Sequence, residues 1–231
     1  TSLLGLAWER KGHTADALGA FHLVSGGDTY EALGLASHAN ALREHGAPLA
    51  ASVLRHSCLM NETLSEGRTV SVYIGLAKDH LAMGDLHGAE GWALAALSIY
   101  PNAPIVHAVL AEIALYEGDL ESADYHIFYG DMLGVTALGV AVASRRALLK
   151  GDVVGADRIL EGARELKSVT LAIAALRIEV AHLLGEVEER DRLLSSTKWR
   201  DIETPALLLI RAQVAISQGD LRTGEALLQR G

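Results

Sequence analysis

The hydrophobic pattern is clearest between Leu76 and Pro101, where two apolar stripes flank a short polar turn. On each side of Gly84, apolar positions recur at three- and four-residue intervals, which is the periodicity of two amphipathic helices. Gly84 ends the first helix, because the left-handed conformation common just past a helix costs a residue with a Cβ atom about 1 kcal/mol and glycine nothing. Asp85 follows as a cap for the second helix. The stretch therefore predicts an antiparallel helical hairpin.

The same break recurs along the chain at intervals of 34, 38, 34, 33, 34 and 34 residues, at Gly12, Gly46, Gly84, Gly118, Gly151, Gly185 and Gly219. Seven residues before each break stands a small residue, except at Ile178: Gly5, Ala39, Ala77, Ala111, Ser144 and Ala212. Five residues after each break stands an alanine, except at Arg190 and Gly224: Ala17, Ala51, Ala89, Ala123 and Ala156. Small side chains let two helices approach to about 8–10 Å, so these two columns indicate the contact line of each hairpin.

This period and these columns resemble the tetratricopeptide repeat (TPR) family, and Leu4, Gly5, Trp8 and Phe21 add further marks of that family in the first repeat. The resemblance implies an all-α fold, an α-α superhelix in which antiparallel helical hairpins form a right-handed solenoid. We expect a single solenoid over residues 1–231, with repeats at 1–31, 32–69, 70–103, 104–136, 137–170, 171–204 and 205–231. Thr1 falls inside a first helix and Gly231 inside a second, so we expect a fragment truncated at both ends.

The repeat pattern has three irregularities, two in its spacing and one in its small-residue columns. Four extra residues around 61–67 predict a lengthened loop or an additional helical turn, and one missing residue around 130–137 predicts a tighter junction. Ile178 and Arg190 place large side chains in the two small-residue columns of the sixth repeat. They predict a splayed hairpin and a local change in superhelical curvature.

Composition and charge narrow the class of partner. Half of the residues are apolar, 5% are aromatic and four are prolines, which favours a long helical chain. The net charge of −9 without a Lys/Arg block argues against nucleic acid or an anionic membrane as the principal partner and is compatible with a basic one. The longest stretch without charged residues is broken by Pro101 and Pro104, so no direct membrane insertion is expected. Arginine, alanine, leucine and glycine usage suggests a GC-rich bacterial genome, and the compartment stays open, with the cytoplasm favoured.

Nothing in the sequence predicts an enzyme. No nucleophile-elbow, zinc-protease, phosphate-loop or dinucleotide motif occurs, so we expect no catalytic residues and no cofactor. The ten histidines are scattered over different repeats and are interpreted as surface or packing residues, not metal ligands. The acidic run at Glu186, Glu188 and Glu189 is interpreted as a solvated helix start. Cys58 is predicted to be a buried structural thiol.

The resemblance implies a groove lined by the first helix of each repeat, at positions about thirteen, ten and six residues before each break. The two more distant columns are small or apolar and include Ile74, Ile105 and Leu138. The column six residues before the break is polar in all but the first repeat: Leu6, Asn40, Lys78, Glu112, Arg145, Glu179 and Gln213. Such a trough suits an extended peptide or an amphipathic helix. A carboxylate clamp is disfavoured, since Ala36, Ile74, Ala108 and Ala141 stand where its lysines would be needed.

These observations predict a non-enzymatic protein-binding module whose partner is a protein or peptide. A plain scaffold surface remains the competing interpretation of the groove columns, because first helices must also pack against neighbouring repeats. Alternative functions are a regulatory or sensor arm of a larger signalling protein or transcription regulator and, less favoured, the substrate-recruiting part of an enzyme. Self-association through uncapped apolar ends also stays open.

Overall fold

The computed structural model describes residues 29–44, 46–60, 64–163, 170–196 and 205–230. These residues form twelve α-helices in sequential antiparallel pairs, which confirms the all-α, TPR-like superhelical fold. The helices are α1 Thr29–Glu44, α2 Pro48–Leu59, α3 Glu66–Ala82, α4 Leu86–Ile99, α5 Pro104–Glu117, α6 Leu120–Leu133, α7 Ala137–Leu149, α8 Val153–Gly162, α9 Leu171–Leu183, α10 Val187–Ser195, α11 Pro205–Ser217 and α12 Leu221–Leu228. The break at Gly12 and the rest of the first repeat lie outside the described residues.

The glycine breaks adopt the predicted left-handed conformation. Six of them have φ between 75° and 85°, namely Gly46, Gly84, Gly118, Gly151, Gly185 and Gly219. In the turn between α3 and α4, the Asp85 amide donates to the His80 carbonyl at 2.9 Å, and the Asp85 side chain accepts from the Gly88 amide at 2.9 Å. Asp85 therefore caps α4 as predicted, and Asp119, Asp152 and Asp220 make the equivalent cap.

The two small-residue columns lie on the buried contact line of each hairpin. Every described member of both columns is buried, including the exceptions Ile178, Arg190 and Gly224. The Ser144 hydroxyl satisfies its burial by donating to the Val140 carbonyl at 2.8 Å. The periodicity of small residues thus located the close helix contacts. The splaying and curvature change expected at the sixth repeat stay predictions.

The irregular spacings are absorbed at helix starts and junctions. Helix α3 begins eighteen residues before its glycine, whereas α5 and α7 begin fourteen before theirs, so the insertion adds a helical turn to the start of α3. Residues 61–63 lie outside the described part of the chain. Three residues separate α6 from α7, against four between α4 and α5, so this junction is tighter by the missing residue.

The chain divides into two compact units, one ending at His126 and the other beginning at Ile127. In the first, Cys58, Val72 and Leu76 form a buried cluster with Tyr73 and Trp92 packed against it, so the prediction of a buried Cys58 is confirmed. In the second, α7, α8 and α9 bury a cluster around Val140, Leu160, Ile173, Leu176 and Val180. Among the described helices, none combines the length and apolar character that crossing a membrane requires.

Candidate interaction face

The first helices of successive repeats lie side by side within each unit. Helix α3 contacts α1 and α5 in the first unit, and α9 contacts α7 and α11 in the second. Each of these helices carries one residue of the polar column and one of each of the two small or apolar columns. We call the nine predicted groove residues the first-helix face: Asn40, Ile74, Lys78, Ile105 and Glu112 in the first unit, and Leu138, Arg145, Glu179 and Gln213 in the second.

Partial burial is common to this face. Eight of the nine side chains are half-buried, and Gln213 is exposed. Deeper positions in the column ten residues before the break are occupied by Ala108, Ala141 and Ala175, which are buried. The face therefore combines half-buried polar groups with small apolar residues beneath them, within each unit taken separately.

Burial shifts the titration of two charged groups on the face. Burial lowers the pKa of the Lys78 ammonium, and the nearby Glu112 carboxylate acts in the opposite direction. Burial raises the pKa of the Glu179 carboxyl, and the Arg145 guanidinium opposes that shift. In both cases a charge on one repeat faces the opposite charge on the next, so neighbouring column residues partly neutralise one another.

A buried ionic network beside this face was not predicted. Asp79, fully buried on α3, accepts from Arg55 Nε of α2 at 2.7 Å and from Arg43 Nη1 of α1 at 3.1 Å. The Asn40 Oδ1 atom accepts from Arg55 Nη2 at 2.6 Å and from Arg43 Nη2 at 3.3 Å. The network ties three helices together, and it engages the amide oxygen of Asn40, a residue that the sequence placed in the groove.

Gly75 provides the space that the network needs. A Cβ atom built on Gly75 would collide with the Arg55 guanidinium, so the absence of a side chain on α3 seats the arginine. Burial lowers the pKa of Arg55, while the Asp79 carboxylate acts to raise it. The available sequence signal was a helix-interior glycine four residues before an aspartate on the same face, since glycine costs about 1 kcal/mol there relative to alanine.

The acidic run of the sixth repeat lies on the surface. Glu188 is exposed, and Glu189 accepts from Arg192 through both carboxylate oxygens at 2.6 Å, a local pair along α10. Near it, a cleft of about 340 Å³ is lined by acidic side chains of α8 and α10 and by Arg177, whose Nη2 donates to the Leu160 carbonyl at 2.9 Å. The described residues contain no group of three or more His, Cys, Asp or Glu placed to hold a metal ion.

Comparison with known proteins was positive only at the level of structure. No protein-family model and no curated protein matches the sequence. A chain of the APC/C hetero-tetramer Cut9–Hcn1 matches with a TM-score of 0.66 at 11% identity, over 94% of this chain and 42% of that one. A tetratricopeptide repeat protein from Parabacteroides merdae matches with a TM-score of 0.57 at 12% identity, over 98% and 95% of the two chains. PilF from Pseudomonas aeruginosa matches with a TM-score of 0.52 at 14% identity, over 87% and 93%.

These matches and the helix pairs define a TPR-like helical repeat protein. The chain spans 42% of the length of the Cut9–Hcn1 chain that it matches. At identities of 11 to 14%, the likeness is one of fold.

Proposed function

We propose that this chain is a non-enzymatic protein–protein interaction scaffold that holds a peptide or a partner helix against the first-helix face. The observation that carries the proposal is the repetition of one polar residue per described first helix, half-buried in all but α11 and set among small and apolar positions, on helices that contact one another within each unit. Such a surface offers polar anchoring and apolar pockets in the same register. One matched structure is itself a hetero-tetramer of Cut9 and Hcn1, which accords with this class of function.

The pKa shifts suggest which partner groups the face would favour. Because burial disfavours the charged form of Lys78, a partner carboxylate placed beside it would regain part of the lost stabilisation. In the second unit, a partner ammonium or guanidinium would do the same for Glu179. We therefore propose a partner that brings an acidic group to the first unit or a basic group to the second.

The test compares two variants that each remove one cation and one anion. Lys78→Ala with Glu179→Ala changes the first-helix face, and Arg222→Ala with Glu225→Ala changes exposed residues of the second helix α12. Both variants and the parent are used to capture proteins from source lysate, and circular dichroism checks that each is folded. We expect proteins retained by the parent and by the α12 variant to be lost from the first-helix variant. Equal retention by both variants would place the interaction elsewhere and refute the proposal.

The alternative functions predict different observations. A regulatory or sensor arm requires a further domain that responds to partner binding, and a recruiting arm requires a catalytic one, so the sequence flanking this chain separates them. Self-association requires a molar mass that rises with concentration. Light scattering at several concentrations tests this, and a constant monomeric mass would eliminate it.

A further inference from the structure

Two imidazole rings meet inside the hairpin formed by α5 and α6. His107, in the first turns of α5, is buried, and His126 on α6 is half-buried. Their Nδ1 atoms are 3.1 Å apart, and His107 Nε2 lies 3.1 Å from the Pro101 carbonyl oxygen in the turn between α4 and α5. The pair therefore connects three consecutive segments of the first unit, and neither histidine was singled out by sequence spacing.

The carbonyl determines where the protons lie. A carbonyl oxygen only accepts, so His107 Nε2 carries a hydrogen and donates it to Pro101. Neutral His107 then has a bare Nδ1, which makes His126 Nδ1 the donor between the rings. The ring centroids are 5.3 Å apart, so the two nitrogens lie close to the line that joins the rings. This is the geometry of an N–H···N hydrogen bond, whereas two ligands of one metal ion would converge on a third point.

Protonation can proceed only one step without breaking this bond. A first proton can be accommodated by the pair, because whichever ring becomes the cation donates its Nδ1 hydrogen to the bare Nδ1 of the other ring. A second proton would bring two N–H groups face to face at 3.1 Å, with no acceptor between them. This second step is opposed at His126, since burial and the charge of His107 lower the pKa of His126.

The described contacts of the pair include an aromatic ring and a backbone carbonyl. On α6, the rings of Tyr125 and His126 lie nearly perpendicular to each other with centroids 5.0 Å apart. At the α4–α5 turn, the partner is the uncharged Pro101 carbonyl. Within the described part of the chain, the charged group that shifts the pKa of His126 is His107 on α5.

We propose that the His107–His126 pair is an acid-sensitive latch, which holds the α5–α6 hairpin and the preceding turn together near neutral pH and releases them on acidification. The sign follows from the direction of the shift at His126. Its pKa in the folded protein lies below the unfolded value of 6.5, so the unfolded chain binds more protons as the pH falls. The contribution to stability is complete above about pH 6.5 and is lost as the pH falls toward the lowered folded value. The inference does not depend on the proposed partner binding.

The test compares the full chain with His126→Gln, whose side-chain amide can donate to His107 Nδ1 but does not titrate. His87→Gln, at an exposed position of α4, is the matched control. Hydrogen exchange of the segment Pro104–Leu133 is measured from about pH 7.5 to about pH 5 with a chelator present, as protection factors that remove the intrinsic pH dependence. We expect protection in the parent and in His87→Gln to fall about threefold to tenfold more than in His126→Gln. An equal fall in all three would overturn the latch.

A second measurement uses the unaltered protein and so does not depend on how the variant folds. Long-range 1H–15N spectra of the imidazoles report which ring nitrogen carries hydrogen. Near neutral pH we expect Nε2–H on His107 and Nδ1–H on His126. Finding His126 as its Nε2–H tautomer would remove the interaction between the rings and with it the proposal.

Discussion

Among the described residues three arginines are buried, Arg55, Arg146 and Arg190, and the first and last of them are held in different ways. Arg55, in the first unit, is 2% exposed and bonds to the fully buried Asp79 of another helix. Arg190, in the second unit, is 5% exposed and bonds to Asp191, its neighbour in sequence, whose side chain is 54% exposed. The first pair links helices, whereas the second stays within one turn of α10.

The difference shows that burial of a charged side chain does not by itself indicate how much that side chain contributes to stability. Removing water from Asp79 leaves the carboxylate dependent on Arg43 and Arg55. Asp191 remains hydrated, so its bond to Arg190 replaces contacts with water that are about as favourable. The pair therefore adds little to the free energy of unfolding. We therefore expect Asp79 to be far more sensitive to substitution than Asp191.

The largest expected effect is that of Asp79→Ala. It leaves two arginines beside a dry site without their carboxylate, and breaking a buried pair in this way costs about 3–5 kcal/mol. Urea unfolding followed by circular dichroism measures the loss. The control, Asp191→Ala, should change the free energy of unfolding by less than about 0.5 kcal/mol. Similar losses of unfolding free energy in the two variants would show that the buried pair and the exposed pair contribute equally to stability, contrary to this expectation.

The next effect is expected at Gly75. Gly75→Ala places a methyl group where the Arg55 guanidinium lies, and we expect a loss of about 1–3 kcal/mol from the forced displacement. The control is Gly91→Ala, in the middle of α4, where a Cβ atom meets open space. There the higher helix propensity of alanine should stabilise the protein by about 0.5–1 kcal/mol. A loss of stability in Gly75→Ala together with a gain in Gly91→Ala would show that Arg55 needs the space beside Gly75. A gain in both variants would refute this.

A third pair of substitutions examines what the two units share. Gly84 and Gly185 have φ of 77° and 75°, so valine at either position is forced into the left-handed region. We expect each variant to lose more than about 1 kcal/mol, by similar amounts, in thermal or urea unfolding. Met83→Val, one residue earlier at φ −85°, is the control and should cost less. A large inequality between the glycines would mean that the hairpin turns also differ between the units.

The smallest effect is expected at Arg190. Arg190→Ala restores the alanine that five of the other six repeats carry five residues after the glycine, and the aspartate left behind is already exposed to water. The free energy of unfolding should therefore change by less than about 1 kcal/mol in the urea assay. A loss as large as that of Asp79→Ala would show that Arg190 has a structural role beyond its local pair.

The regular part of this structure could be predicted from sequence because it depends on local chemistry repeated many times. Gly118 at φ 78° and Asp119 capping the next helix are consequences of neighbouring residues alone. Ala77 and Ala89 are separated by twelve residues, yet their shared period placed both on the buried contact of one hairpin. Each repeat supplies an independent sample of the same pattern, so exceptions such as Ile178 did not obscure it.

The candidate site was predictable in position and not in its interactions. The columns placed Lys78, Glu112, Arg145 and Glu179 on first helices at equal register, where the structure has them half-buried. Column positions contain no information on rotamers, so they did not show that Asn40 accepts from Arg55 across fifteen residues of sequence. The binding role of these residues stays a proposal.

The sequence by itself determined the helical hairpins, their glycine turns, their aspartate caps and the small-residue contact lines, because each rests on residues within a few turns of one another. Only the tertiary structure decided which polar side chains meet. Asp79 joins Arg43 and Arg55 across three helices, and His107 meets His126 across a hairpin, through single contacts that no period repeats. Long side chains have many rotamers and a hydrogen bond needs one of them, so such contacts depend on the relative placement of whole helices.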